Sequence, residues 1–129
     1  MARRGFTLVE LMVVIAIIGL LASIVTVSVI EQVEGATQEK VRVDLRGIED
    51  AAILFKVHAG RWPASLDELR ARPGGVRRWN GPYLSATPED PWGRPYAYEL
   101  RGRPRITCYG ADGAPGGEGE AADLSWPAD

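Results

Sequence analysis

Twenty consecutive residues, Leu11 to Ile30, carry no charged side chain, and they begin directly after a glutamate, Glu10. As a helix at 1.5 Å per residue, such a run spans ~30 Å, the hydrocarbon thickness of a bilayer. It is too long for the apolar region of a secretory signal. The small residue beside the basic stretch, Gly5, precedes the run instead of following it. Arg3 and Arg4 place the N-terminal end in the cytoplasm and direct the rest of the chain outward. Composition by itself describes a plain signal-anchor helix. Glu10 does not fit that description. A carboxylate at the centre of a bilayer helix costs about 2.5–3.5 kcal/mol, less near the interface, so its presence marks a functional position.

The apolar run and its flanks leave roughly a hundred residues for one small globular domain. Residues 41–110 hold 12 Arg/Lys against 8 Asp/Glu, while residues 111–129 hold none against 5. A mildly basic body thus precedes an acidic, glycine-rich end. The body's arginines are scattered, with Arg77 and Arg78 adjacent; this describes a solvated surface, and no nucleic-acid partner is expected. The single cysteine, Cys108, cannot form an intrachain disulfide. An exported domain of this size then needs another staple, for which a metal ion is a candidate.

Beyond the apolar run, Val41, Leu45, Ile48, Ala52 and Phe55 recur at one helical stripe, widened by Ala51 and Leu54. Gly35 is a weak point between the two halves, and Gly60 before Trp62-Pro63 ends the helix. Ser65-Leu66-Asp67-Glu68 reads as a capping box opening a short helix to about Arg72, stopped by Pro73-Gly74-Gly75. Aromatic turns follow at Trp79–Leu84 and Asp90–Pro95. Tyr96–Leu100 and Arg105–Tyr109 form an antiparallel hairpin joined by residues 101–104. The fold class is α+β: a long helix, half membrane-spanning and half amphipathic, packed on a small domain. That domain has a short helix, a small antiparallel sheet and an irregular C-terminal loop.

Gly5-Phe6-Thr7-Leu8-Val9-Glu10-Leu11-Met12-Val13-Val14-Ile15 resembles the processing signal of type IV pilins and type II secretion pseudopilins. The resemblance implies a leader at residues 1–5, cleavage after Gly5 by a prepilin peptidase, and methylation of the new N-terminal Phe6. It further implies a transmembrane and polymerisation helix at 6–30, a stem at 31–60 and a periplasmic region at 61–129, the lollipop shape of pilins. Cleavage creates an ammonium at Phe6. Pairing it with Glu10 of a neighbouring subunit removes an isolated buried charge, worth several kcal/mol, and so selects the stagger of a filament. One departure is Val27, where many members have a proline; the proline-linked melting of the helix on assembly is therefore not implied for this chain. Phe55-Lys56, Gly60-Arg61-Trp62-Pro63, Gly81-Pro82-Tyr83-Leu84, Asp90-Pro91-Trp92-Gly93-Arg94-Pro95-Tyr96 and Gly110-Ala111-Asp112-Gly113 are similar in order to the major pseudopilins of type II secretion. The segment after Pro63 is shorter than their commonest version.

Residues 110–124 contain four carboxylates, five glycines and no positive charge. Composition fits a disordered tail or a hard-cation loop, since Ca²⁺ takes six to eight oxygens from carboxylates and carbonyls. No EF-hand spacing or calcium repeat is present. The resemblance implies a Ca²⁺ site here, with Asp112 and Asp123 as side-chain ligands, the Tyr109 carbonyl as a backbone ligand, and Glu118 and Glu120 as further candidates.

His58 is the sole histidine and reads as a solvated residue at a helix C-terminus; Cys108 reads as core. Phosphate-binding, dinucleotide and nucleophile-elbow motifs are absent from the sequence, so the chain does not read as an enzyme; the resemblance implies that it is the substrate of one. The resemblance implies a polymerising subunit in the bacterial inner membrane, N-terminus cytoplasmic and domain periplasmic. Its partners would be copies of itself, minor pseudopilins, prepilin peptidase, and an assembly platform with its ATPase. Its role would be export of folded proteins by type II secretion. Two readings compete: a type IV pilin or minor pilin serving adhesion, motility or DNA uptake, and a monomeric anchored domain. The single cysteine and the acidic loop argue against the disulfide-closed pilin.

Overall fold

The computed structural model describes residues 4–128. Met1, Ala2 and Arg3 of the expected leader lie outside the described residues. Helix α1 runs Leu8–Ala59, followed by a 3₁₀ turn at Leu66–Leu69. Strands β1 (Ala97–Arg101) and β2 (Arg103–Cys108) come next, then a second 3₁₀ turn at Gly119–Ala121 and strand β3 (Leu124–Trp126). The chain divides into two compact units, Met1–Gly35 and Ala36–Asp129.

In the first unit α1 exposes apolar side chains in every direction. Leu8–Val25 has a mean hydropathy of 2.8, and none of it is buried within the chain. A helix apolar all round needs an apolar surrounding. The backbone stays helical through the β-branched stretch Ile24–Ile30, Val27 included.

In the second unit α1 is amphipathic. Val41, Leu45, Ile48, Ala51, Ala52 and Phe55 are all buried, as their spacing requires. Leu54 is not: it stays half exposed on the flank of the stripe, so Ala51 widens the buried face and Leu54 does not. Phe55 and Ile48 share the core with Leu69, Tyr96, Ile106 and Cys108. Burial raises the pKa of the Cys108 thiol and keeps it protonated.

The capping box forms only in part. Ser65 makes no side-chain cap bond, and the Glu68 carboxylate accepts from the Ala64 amide at 2.8 Å and from both ends of the Arg61 fork at 2.8 and 3.1 Å. The helix expected to reach Arg72 stops after one turn. Continuing it would direct the Leu69 carbonyl to residue 73, a proline without an N–H. That carbonyl accepts instead from the Tyr83 and Leu84 amides at 2.8 and 3.1 Å. Leu66 and Leu69 are both buried, as the i, i+3 alignment of a 3₁₀ turn permits.

The sheet has the order β1-β2-β3, antiparallel throughout. The hairpin is tighter than expected. Arg101 pairs with Arg103 across Gly102, while Tyr96 and Tyr109 lie outside the strands. Pro104 is tolerated in the middle strand because β3 pairs only with Ile106–Cys108, leaving the proline beyond the shared ladder. Ile106 and Cys108 point into the core, and Arg101, Arg103 and Arg105 are exposed. The Tyr98 hydroxyl donates to the Pro63 carbonyl at 2.6 Å, and burial pushes its pKa up to about 12.

His58 is not simply solvated. Its Nδ1 lies 2.8 Å from the Tyr83 hydroxyl, which also accepts from the Asn80 amide at 2.9 Å. Tyr83 packs edge-on against Phe55 and Trp79, so the aromatic turns cover the core as their composition suggested.

Candidate functional site

Two segments carry the chemistry singled out in the sequence. At the N-terminal one, Gly5 and Phe6 precede α1. Phe6 is 86% exposed, and nothing crowds the Cα of Gly5, so the bond between them is accessible. Glu10 lies in the first turn of α1. The Thr7 amide donates to Glu10 Oε2 at 2.9 Å, and the Glu10 amide donates to Thr7 Oγ1 at 3.2 Å. This reciprocal pair is a capping box, satisfying two amides that the start of a helix leaves without partners. Thr7 is a residue the sequence reading missed, although Thr7-Leu8-Val9-Glu10 carries the signature in plain form. Glu10 therefore has a local role as N-terminal anchor of α1, and one carboxylate oxygen remains for another partner.

The second segment is the acidic stretch between β2 and β3. It folds as a loop and not as a loose tail. The Ala111 amide donates to the Glu120 carbonyl at 2.8 Å, tying its two ends together. Asp112 Oδ1 accepts from the Ala114 amide at 3.1 Å, and Asp123 Oδ2 accepts from the Gly116 amide at 2.8 Å. The loop's glycines are needed where it closes. Gly110 and Gly117 have φ of +67° and +97°, and a Cβ on either would come within 3 Å of the Ala121 backbone.

Arg94, from the second aromatic turn, holds the loop from beneath. Its Nη2 donates to the Gly110 and Ala111 carbonyls at 2.9 and 2.7 Å. Asp90 supports it: the buried Asp90 Oδ1 accepts from the Trp92 and Arg94 amides at 3.0 and 2.8 Å, and Oδ2 lies 3.8 Å from Arg94 Nε. No local sequence signal pointed to Arg94 as the loop's anchor, because the carbonyls it holds lie 16 and 17 residues away.

The donors offered by this loop are hard oxygens, the type that Ca²⁺ takes. Asp112 and Asp123 each commit one carboxylate oxygen to a loop amide and keep the other. The Glu118 and Glu120 carbonyls accept from the Ala121 and Ala111 amides. Among the described residues no three His, Cys, Asp or Glu side chains converge as a metal-holding group. A cation here would therefore take no more than two of these side chains, together with backbone carbonyls. The residues fit Ca²⁺ in donor chemistry.

A family model described as type II secretion system (T2SS), protein G matches residues 28–126. The chain belongs to that family. A second model, the prokaryotic N-terminal methylation motif, matches residues 1–26, the segment holding Gly5, Phe6 and Glu10. The chain is 36% identical to the type II secretion system core protein G of Vibrio cholerae, across 95% of this chain and 90% of that one. It is 35% identical to the core protein G of Pseudomonas aeruginosa, across 95% and 93%. Its structure resembles the crystal structure of the major pseudopilin from the type 2 secretion system of enterohaemorrhagic Escherichia coli. The TM-score is 0.60 at 26% identity, covering 72% of this chain and 84% of that one. Membership of the protein G family selects the pseudopilin reading over the pilin of an adhesion, motility or DNA-uptake system.

Proposed function

We propose that this chain is a structural subunit that polymerises into a pseudopilus driving export of folded proteins by type II secretion. The observation that carries the reading is the protein G match over residues 28–126 joined to the methylation motif over 1–26. It acts as a substrate of processing and not as a catalyst: prepilin peptidase cleaves after Gly5 and methylates Phe6. The apolar Leu8–Val25 segment anchors the chain in the inner membrane, with its N-terminus cytoplasmic and residues 36–129 periplasmic. An assembly platform with its ATPase, minor pseudopilins and further copies of the chain are its partners.

Glu10 gives the polymer its register. Its carboxylate accepts from the Thr7 amide and can also meet the Phe6 ammonium of a neighbouring subunit. In an apolar surrounding, a wrong stagger leaves both charges unpaired, at a cost of several kcal/mol. The test deletes the gene and restores it as wild type or as Glu10→Gln. Deletion stops enzyme export while surface pili and DNA uptake persist. Glu10→Gln inserts and is cleaved but forms no filament. Normal filaments from Glu10→Gln remove the pairing role, and unchanged export after deletion removes the secretory one.

Asp112, Asp123 and the Tyr109 carbonyl hold Ca²⁺ in the acidic loop, with Glu118 and Glu120 at its margin. Bound there, the ion supplies positive charge that draws the loop closed, in place of a disulfide. Cation at about a hundred times its Kd stabilises the fold by about 2.7 kcal/mol. Chelator added to the full chain in detergent therefore lowers the domain's melting temperature and opens residues 110–125 to protease. A melting curve unmoved by excess chelator removes calcium from the account.

A further inference from the structure

The three-stranded sheet carries opposite charge at its two ends. The outward face of the β1–β2 hairpin holds Glu99, Arg101, Arg103 and Arg105. The register aligns Glu99 with Arg105 and Arg101 with Arg103, so all four project from one side. Among the described residues, three arginines against one glutamate leave this end positive. Arg101 is 86% exposed and reaches Glu99 at 3.2 Å. Arg105 bonds Ser125 Oγ. These side chains and Pro127 border a shallow cavity of about 250 Å³.

At the other end of β2 stands the acidic loop, with Asp112, Glu118 and Asp123 exposed and Glu120 half-buried. The arginine that touches this loop, Arg94, is spent on its carbonyls and on Asp90. Six residues of β2, Arg103–Cys108, separate the two ends, about 17 Å at the rise of an antiparallel strand. That exceeds the Debye length of about 8 Å at physiological ionic strength, so the two ends do little to neutralise each other within one chain.

We infer that the arginine-bearing hairpin tip of one subunit docks on the acidic 110–124 loop of the next copy, as a head-to-tail contact between periplasmic domains. Self-complementary patches at one place would close a dimer. Complementary patches at two separated places make a heterologous contact, which propagates as an open helical filament when the rotation does not close. The occupant is a second copy because the same chain carries the matching charge, and a filament presents that charge at every subunit. A cation in the loop reduces its negative charge without reversing it, since four carboxylates outnumber two positive charges. The contact rests on the filament reading above and adds to it a specific pair of surfaces.

The test uses the full chain, assembled in cells by its own secretion apparatus. Arg101→Glu with Arg103→Glu lowers filament yield roughly tenfold or more, because the reversal sets like charges against each other. Glu118→Lys with Glu120→Lys does the same, and combining all four substitutions restores assembly. Melting temperatures of the variants identify any that fail to fold. Independently of folding defects in the charge variants, chains bearing Arg103→Cys mixed with chains bearing Glu118→Cys form a covalent dimer upon oxidation of filaments. Cys108 is buried and does not compete. Normal filament yield from both reversed pairs, no rescue by the fourfold swap, or no cross-link in abundant filaments overturns the contact while leaving the filament intact. Absence of wild-type filaments removes both.

Discussion

The two halves of α1 are made from overlapping alphabets and meet opposite fates. Between Leu8 and Val25 nearly every apolar side chain is exposed. Between Val41 and Phe55 the stripe is buried against the domain. Ile17 is 52% exposed and Phe55 0%, yet both are large apolar residues on one helix. Apolarity sets the demand for a dry surrounding; what meets it differs. The first half must find lipid or other subunits, and the second finds its own chain. Of the two halves, the second supplies the buried residues of the domain's core.

That contrast is sharpest at Phe55. Phe55→Ala deletes a fully buried ring and is expected to destabilise the domain by about 3–5 kcal/mol. Ile17→Ala leaves the domain's melting unchanged. Thermal unfolding of the full chain in detergent compares them, and an equal loss from both substitutions breaks the division into halves.

The glycines provide a second comparison of smaller size. Gly110→Ala forces a left-handed residue and a methyl group against the Ala121 backbone, a strain of about 1–3 kcal/mol. Gly19→Ala meets nothing within 4 Å and favours the helix. The first variant melts earlier; the second does not. A neutral Gly110→Ala would show that the loop closure does not contribute to domain stability.

The smallest effect is electrostatic and belongs to the domain. Glu68 has a lowered pKa, first through its hydrogen bond from Arg61 and also through the Ala64 amide, with burial opposing. A depressed carboxyl stabilises the fold above its unfolded pKa of about 4.3 and loses that contribution as pH falls through the lower folded value. Solvent screening limits the pair to roughly 0.5–1 kcal/mol. Wild type should therefore lose its advantage over Glu68→Gln as pH drops below about 4. A stability difference that stays constant from neutral pH to that range would exclude the linkage.

Much of this was legible without coordinates because it depends on neighbours in sequence. The apolar run, the stripe from Val41 to Phe55, the stop at Gly60 and the processing segment are local patterns, and local spacing determines which face a helix presents. The Thr7–Glu10 box was legible too and went unread. The single turn at Leu66–Leu69 was not, because the amides of Tyr83 and Leu84 donate to the Leu69 carbonyl from outside the helix. His58 reached Tyr83 in the same way, across 25 residues.

By itself, the sequence determined that one helix must serve two surroundings and that a carboxylate stands at the start of the apolar one. It also determined that the chain ends in a glycine-rich acidic stretch. Only the tertiary structure decided that this stretch is a closed loop, held by Arg94 and returned to the sheet as β3. It also placed that loop at the opposite end of β2 from the arginines of the hairpin tip. The reason is physical. Periodicity and charge are carried by adjacent residues, whereas loop closure depends on hydrogen bonds and close approaches between groups far apart in the chain. Those exist only once the core has brought the groups together.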